Sequence, residues 1–364
     1  MRGCVVGGGL AGSLLAWRWA RAAGWEIDLV PGQRCGTDAT AASGGAVRAY
    51  EPGPEQRRLA IDSLVELLAS RTLREWAGYR SVSSVYLRRD PDGLAAAVAD
   101  IERALPGSVE LVPATELGRL GWADLHPGGV AVLERRAGYT SPSRFRDAVL
   151  ADAVAHRRVT VVPGAVGAIV PGGGGAVSCA VAGQTRAYDA VVVAAGRWTP
   201  ALLRASGLPA DGYRTKSIQY SVHPVDGWCP PQFVDEVTGL YGRPTADGGL
   251  LLGLPTEQWD VDPDQPPTTP ALHDAAARLA RARFPRLRLG PVDHRVGSAD
   301  CYAAEPILAL RSVIDSDHRL FTFSGGAGGS VKTALTASHR AAIQLVESGR
   351  STGLTAVGQR KGQP

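Results

Sequence analysis

Gly7, Gly9 and Gly12, in the stretch Cys4-Val5-Val6-Gly7-Gly8-Gly9-Leu10-Ala11-Gly12, are the first residues of the chain whose types and spacing imply chemistry. Between a strand and a helix, such glycines hold a dinucleotide: the first permits the tight turn, the second lets a pyrophosphate approach the backbone, and the third lets helix and sheet pack closely. The N–H groups that open the helix, here around Leu10 and Ala11, then face the phosphates. Where an acidic side chain would take the ribose hydroxyls, the chain has Pro31, with neither a carboxylate nor an N–H.

Tyr241 and Arg243 form a second pair, two residues apart in a strand-like hairpin, so both side chains point to one face of a sheet. A forked guanidinium in a partly dry site suits a carboxylate. An arginine in a hairpin can equally lie on a solvated face. Lysine is rare, occurring only at 216, 332 and 361. Lys332 opens an expected helix, where a cation opposes the dipole by roughly 0.3–1 kcal/mol, so it reads as kept for a function. The 5 cysteines lie at scattered spacings with no CxxC and read as free thiols. The 7 histidines show no HxH or HExxH spacing, and no metal is expected.

The elements that must position these residues follow from periodicity. Leu10, Leu14, Leu15 and Trp19 recur at helical spacing, and residues 26–30 form a second strand, giving a β-turn-α-β unit. Helices are predicted over about 55–77, 93–104, 142–156, 271–283 and 332–347. Strands are predicted in SVSSVYLRR, RVTVVPGAVGAIV, AVSCAVAG, AYDAVVVAAG, SIQYSVHPV, GLLLGL and RLFTFSGG. The polar tail after Ser348 reads as loose.

The chain has 364 residues, 45% apolar and 20% charged, enough for two lobes with large cores. No stretch approaches a membrane span and the first strand starts almost at Met1, so a cytoplasmic protein with no membrane partner is expected. The net charge of +4 without a basic run gives no case for nucleic acid.

Five segments, in order, resemble the FAD-dependent glycine oxidase, sarcosine oxidase and D-amino acid oxidase family: VVGGGLAG, GTDATAASGG, VVVAAGRWTPALL, LYGRPTADGGLLLG and FSGGAGGSVKTALTAS. The resemblance implies an α/β fold: a discontinuous Rossmann-like FAD-binding domain over 1–78, 136–213 and 297–350, and an antiparallel-sheet α+β substrate domain over 79–135 and 214–296. It places Ser43, Gly44 and Gly45 near the flavin, Val166 at the adenine, Ala195, Gly196 and Trp198 along the pyrophosphate, and Gly328, Gly329, Ser330 and Val331 at the flavin pyrimidine. Gln33 is expected to replace the missing ribose-binding acid. Asp300, not Cys301, stands where sarcosine oxidases attach flavin, so FAD is expected to be non-covalent.

For substrate, the same resemblance points to Tyr241, to Lys332 beside the flavin glycines, and to Arg48, near an arginine that sarcosine oxidases use. Arg48 can equally be a loop arginine paired with Glu51. Tyr302, in DCYAAEP, stands where glycine oxidases carry the carboxylate arginine of GLRPxT, which leaves Arg243, Lys332 and Arg48 as candidate replacements. The implied activity is oxidation of an amino acid or N-carboxymethyl amino acid to an imine, with O2 reduced to H2O2, as in glycine oxidase-like enzymes of macrolactam starter-unit biosynthesis. A dehydrogenase with another acceptor and a non-catalytic flavoprotein subunit remain open, and an oligomer is compatible with the sequence.

Overall fold

The computed structural model describes residues 1–22, 24–32, 38–172, 175–314 and 317–359, with side chains left undescribed at 317, 318, 327 and 351–359. Two compact units form from interleaved segments. The first comprises Met1–Ala41, Pro142–Thr215 and Asp300–Pro364; the second comprises Ala42–Ser141 and Lys216–Ala299.

In the first unit a six-stranded sheet runs Ala309–Ile314, Asp317–Ser324, Ala190–Val193, Arg2–Val6, Glu26–Val30, Val159–Val161. All neighbours are parallel except the pair at the Ala309 edge. Continuous apolar runs such as Ala190–Val193 are what a strand covered on both faces requires. The helix Leu10–Trp19 follows the central strand with almost every residue buried, and it packs against the helices Pro142–Ala155 and Ser330–Gln359. Trp17 Nε1 donates to Asp152 at 2.7 Å. An antiparallel three-stranded sheet, Val166–Pro171, Val177–Val181 and Gln184–Tyr188, completes this unit.

The second unit is built on a large mixed sheet ordered Arg288–Leu289, Tyr213–Asp226, Gly249–Gly253, Tyr241–Pro244, Gln232–Asp235, Ser84–Arg88, Val130–Glu134, Val109–Pro113, with His294–Ala303 paired to Tyr213–Asp226. Alternation divides its faces. Val85, Leu87, Phe233, Leu250 and Leu252 join a core with Ala276, Ala280 and Phe284 around the helix Pro270–Arg283. The opposite face carries polar groups in line: Arg243 stands opposite Leu251, Gln232 opposite Ser84, and Ser84 opposite Glu134.

Several expectations change. Residues 42–78, expected with the cofactor domain, belong to the second unit, because Ala46–Val47 pairs with Gly138–Tyr139 and Pro54–Ala69 packs on Leu94–Ala104. The single helix expected over 55–77 is two, Pro54–Ala69 and Arg71–Ala77. They part at Ser70, whose extended backbone lets its hydroxyl cap Leu73 N at 3.2 Å. RVTVVPGAVGAIV divides at Pro163-Gly164, Gly164 having φ +116°, and its halves Val159–Val161 and Val166–Pro171 enter different sheets. The last helix continues through the expected loose tail to Gln359.

Candidate cofactor and substrate sites

The glycine turn divides its work as the residue types require. Gly7 has φ +122°, and a Cβ there would collide with the Ala194 carbonyl. A Cβ on Gly12 would run into the Gly7 carbonyl, so Gly7 and Gly12 are packing glycines. Gly9 differs: its missing Cβ faces only Thr40 Oγ1, at 3.2 Å, and leaves the backbone open at the helix start. Thr40 Oγ1 accepts from Leu10 N at 2.9 Å, and Ala11 N and Gly12 N lie in the same first turn, which contains no acidic side chain. Pro31 lies against Gly8, where a Cβ would come within 2.6 Å of it, and its carbonyl accepts from Gly8 N at 3.2 Å. Gln33 lies outside the described residues.

Three further stretches of the first unit were expected at the cofactor. Val166 opens its strand beside a register shift at Ala168. Ala195 precedes the 3₁₀ turn Gly196–Trp198, where Gly196 has φ +54° and open space at its Cβ position, and Arg197 stacks 4.3 Å from the Trp198 ring. The turn Ala327–Gly329 leads into the helix that begins with Ser330, Val331 and Lys332. Gly328 N donates to Tyr302 Oη at 3.4 Å, and Lys332 Nζ folds back over Gly329. Burial pushes the Tyr302 phenol up to about 12, with the Asp300 charge adding to it; burial likewise pushes Asp300 up to about 6.

The remaining candidates lie in the second unit. Gly253 is empty where Tyr241 needs room: a Cβ there would overlap the Tyr241 ring, whose hydroxyl donates to the Gln219 carbonyl at 3.0 Å. Arg243 Nε donates to the Gly44 carbonyl and Nη1 to the Pro244 carbonyl at 2.7 Å, while the guanidinium lies 4.3 Å from the Tyr139 ring centre. Among the described residues no carboxylate pairs with Arg243 and its Nη2 has no partner. Burial lowers its pKa, against the upward pull of Tyr139, Tyr220 and Asp247, the mark of a cation short of solvent. The structure thus brings Arg243 to Gly44, with Ser43 and Gly45 alongside: Ser43 Oγ accepts from Gly45 N at 3.1 Å, and Thr140 N donates to the Gly45 carbonyl at 2.8 Å.

Arg48 is engaged differently. Its Nη2 pairs with Glu51 at 2.8 Å, its Nε donates to the Tyr50 carbonyl at 3.1 Å, and it lies 5.1 Å from the Tyr86 ring centre. These partners are those of the loop-arginine alternative. Sequence reasoning missed Tyr139 and Glu134. A tyrosine after a glycine and a glutamate ending a strand carry no signal until register sets them beside Arg243 and Ser84.

A parallel sheet with a glycine turn at the central strand, interleaved along the chain with a mixed-sheet unit, is a dinucleotide-binding α/β architecture. The chain belongs to the DAO family of FAD-dependent oxidoreductases, which matches residues 3–342. It is therefore an FAD-dependent oxidoreductase. Its fold is similar to glycine oxidase from Bacillus cereus ATCC 14579, at 15% identity and TM-score 0.74 over 95% of both chains. Iminodiacetate oxidase from Chelativorans sp. BNC1 superposes with TM-score 0.74 at 17% identity, over 95% of both chains. NikD, an unusual amino acid oxidase essential for nikkomycin biosynthesis, gives 0.73 at 20% identity, over 95% of this chain and 93% of its own. A search of curated protein sequences finds no match. No helix among the described residues is long and apolar enough to cross a membrane, and none of their His, Cys, Asp and Glu groups could hold a metal.

The missing side chains at Gly9 and Gly196 and the glycine turn before Ser330 leave backbone that a bound FAD could approach. When bound, FAD supplies two-electron redox chemistry, accepting a hydride from substrate.

Proposed function

We propose that this enzyme oxidises an amino acid carrying a free carboxylate, and that an N-carboxymethyl amino acid suits it better than glycine. The observation that carries the reading is Arg243, a half-buried cation fixed by two carbonyls and a ring, with Nη2 left for an anion. In this reading Nη2 takes the substrate carboxylate. Tyr241, held by Gln219 and by the space at Gly253, forms the adjacent wall. These groups set orientation, on which hydride transfer depends far more than on acid–base help.

On the family resemblance, Ser43, Gly44 and Gly45 would hold the flavin, and Gly328 to Val331 would offer it backbone N–H groups. Lys332 and Tyr302 stand beside that turn, while Arg48, paired with Glu51, serves the loop rather than the substrate. The two electrons leave the C–N unit as a hydride with one proton from the amine, the imine hydrolyses, and O2 takes the electrons to give H2O2. Glycine oxidase, iminodiacetate oxidase and NikD, an unusual amino acid oxidase, support an amino acid substrate, and NikD's part in nikkomycin biosynthesis supports a place in secondary metabolism.

The test is a peroxide assay on purified enzyme with glycine, sarcosine, iminodiacetate and larger N-carboxymethyl amino acids, products identified by mass spectrometry. Peroxide from the carboxylates and none from their methyl esters is expected. Dye reduction without peroxide would make the enzyme a dehydrogenase, and flavin that stays oxidised with every amine would sink the reading.

A further inference from the structure

Residues 44–50 run as a strap along the polar face of the large sheet. One end is tied to Arg243, whose Nε donates to the Gly44 carbonyl. Thr140 N and Oγ1 both donate to the Gly45 carbonyl, at 2.8 and 3.2 Å, and Ala46–Val47 pairs with Gly138–Tyr139. The other end is tied to Glu134, which is 2% exposed. Its Oε1 accepts from Ala49 N at 2.7 Å and from Tyr50 N at 3.2 Å, and its Oε2 accepts from Tyr50 N at 3.2 Å.

Along the strap the sheet contributes side-chain contacts: Tyr86 packs on the Tyr50 ring at 4.9 Å and lies 5.1 Å from Arg48, and Arg88 Nη1 donates to Tyr50 Oη at 3.3 Å. Gln232 and Ser84 stand between Arg243 and Glu134 in the row, both 1% exposed, and neither the Gln232 amide nor the Ser84 hydroxyl has a hydrogen-bond partner. Burying these unpaired polar groups costs the docked strap. At its far end Glu134 is the side chain that accepts directly from the strap's backbone, at Ala49 N and Tyr50 N.

We infer that Glu134 is a positioning residue for substrate binding: it holds Ala49 and Tyr50, the strap transmits that hold to Gly44, and the Gly44 carbonyl fixes the guanidinium of Arg243. The inference rests on Arg243 being the carboxylate anchor. Glu134 touches neither substrate nor flavin in this scheme. It acts only through backbone it accepts from.

The holoenzyme decides this with two readouts. One is amide exchange of the peptide spanning 44–51, followed by mass spectrometry. The other is the dissociation constant of a carboxylate series, acetate, benzoate and anthranilate, read from the flavin absorption change. Glu134→Leu should speed strap exchange at least tenfold, leave exchange elsewhere unchanged, and weaken carboxylate binding about tenfold with FAD retained. Glu134→Gln keeps an acceptor oxygen and should stay near wild type in both. If Glu134→Leu does not accumulate as holoprotein, Glu134→Asp, with a shorter reach, should give the same changes more weakly.

Wild-type strap exchange or wild-type carboxylate affinity in Glu134→Leu overturns the inference, as does faster exchange throughout the unit. Arg243→Ala separates the two claims. If it also binds carboxylates like wild type, or if wild type binds none, the anchor reading fails and this role goes with it. If Arg243→Ala alone loses affinity, only the role of Glu134 is wrong.

Discussion

Arg243 concentrates the substrate argument in one side chain. Truncating one partner of a desolvated ion pair costs about 2–5 kcal/mol, so Arg243→Ala should lower kcat/KM on the best carboxylate substrate by roughly 30- to 5000-fold. FAD should stay bound, as judged by the visible spectrum. Arg243→Lys should recover part of the loss, since a point charge makes one of the two parallel bonds. Lys332→Ala should likewise impair substrate handling without releasing flavin, a comparison made in the same assay. Pro31 makes a different prediction. Its ring packs on Gly8 and its own N carries no hydrogen to lose, so Pro31→Glu should tighten FAD, measured by titrating apoprotein. Unchanged affinity would mean that another group already holds the ribose.

At the scale of elements, Gly253 shows how a strand makes room for a neighbour. Gly253→Val should displace the Tyr241 ring and raise KM with little effect on flavin content, because the overlap lies at the ring and not at a cofactor segment. The strand-turn-helix around Gly7 to Gly12 was legible in the sequence because each glycine there answers a local steric demand. The hairpin face shared by Tyr241 and Arg243 was legible for a similar reason, since alternation fixes it within a few residues. Ser70 was not: nothing in a run of apolar helical positions announces a residue that leaves the helix to cap the next one. Nor was the partner of Gly44, because the Arg243–Gly44 contact joins positions 199 residues apart and depends on sheet order. The grouping of residues 42–78 likewise rests on pairing between Ala46–Val47 and Gly138–Tyr139, a long-range fact that composition does not carry.

Across the whole molecule, the buried carboxyl of Glu134 should leave a mark on stability. Burial pushes it up to about 7 from an ordinary 4.5; the hydrogen bonds from Ala49 and Tyr50 and the Arg48 charge pull it down, and the Glu51 charge pushes it up. A carboxyl raised in the folded state binds more protons there than in the unfolded chain. The contribution of Glu134 to stability should therefore fall as pH rises from about 4.5 to about 7, by up to about 3 kcal/mol. Glu134→Gln should flatten that stretch of the curve, tested by urea unfolding at steps between pH 4.5 and 8. Equal slopes in both proteins would remove Glu134 from the account. The interleaving of the two units bears on synthesis as well. Arg2–Val6 has Ala190–Val193 on one side, and that strand has Asp317–Ser324 on its other. At roughly 5–20 residues per second, a ribosome needs about ten to forty seconds after making the first strand before its partner exists. Through that interval an apolar edge waits unpaired in the nascent chain, so heterologous yield should depend on chaperone supply and on slow, cool induction more than on the stability of the finished enzyme.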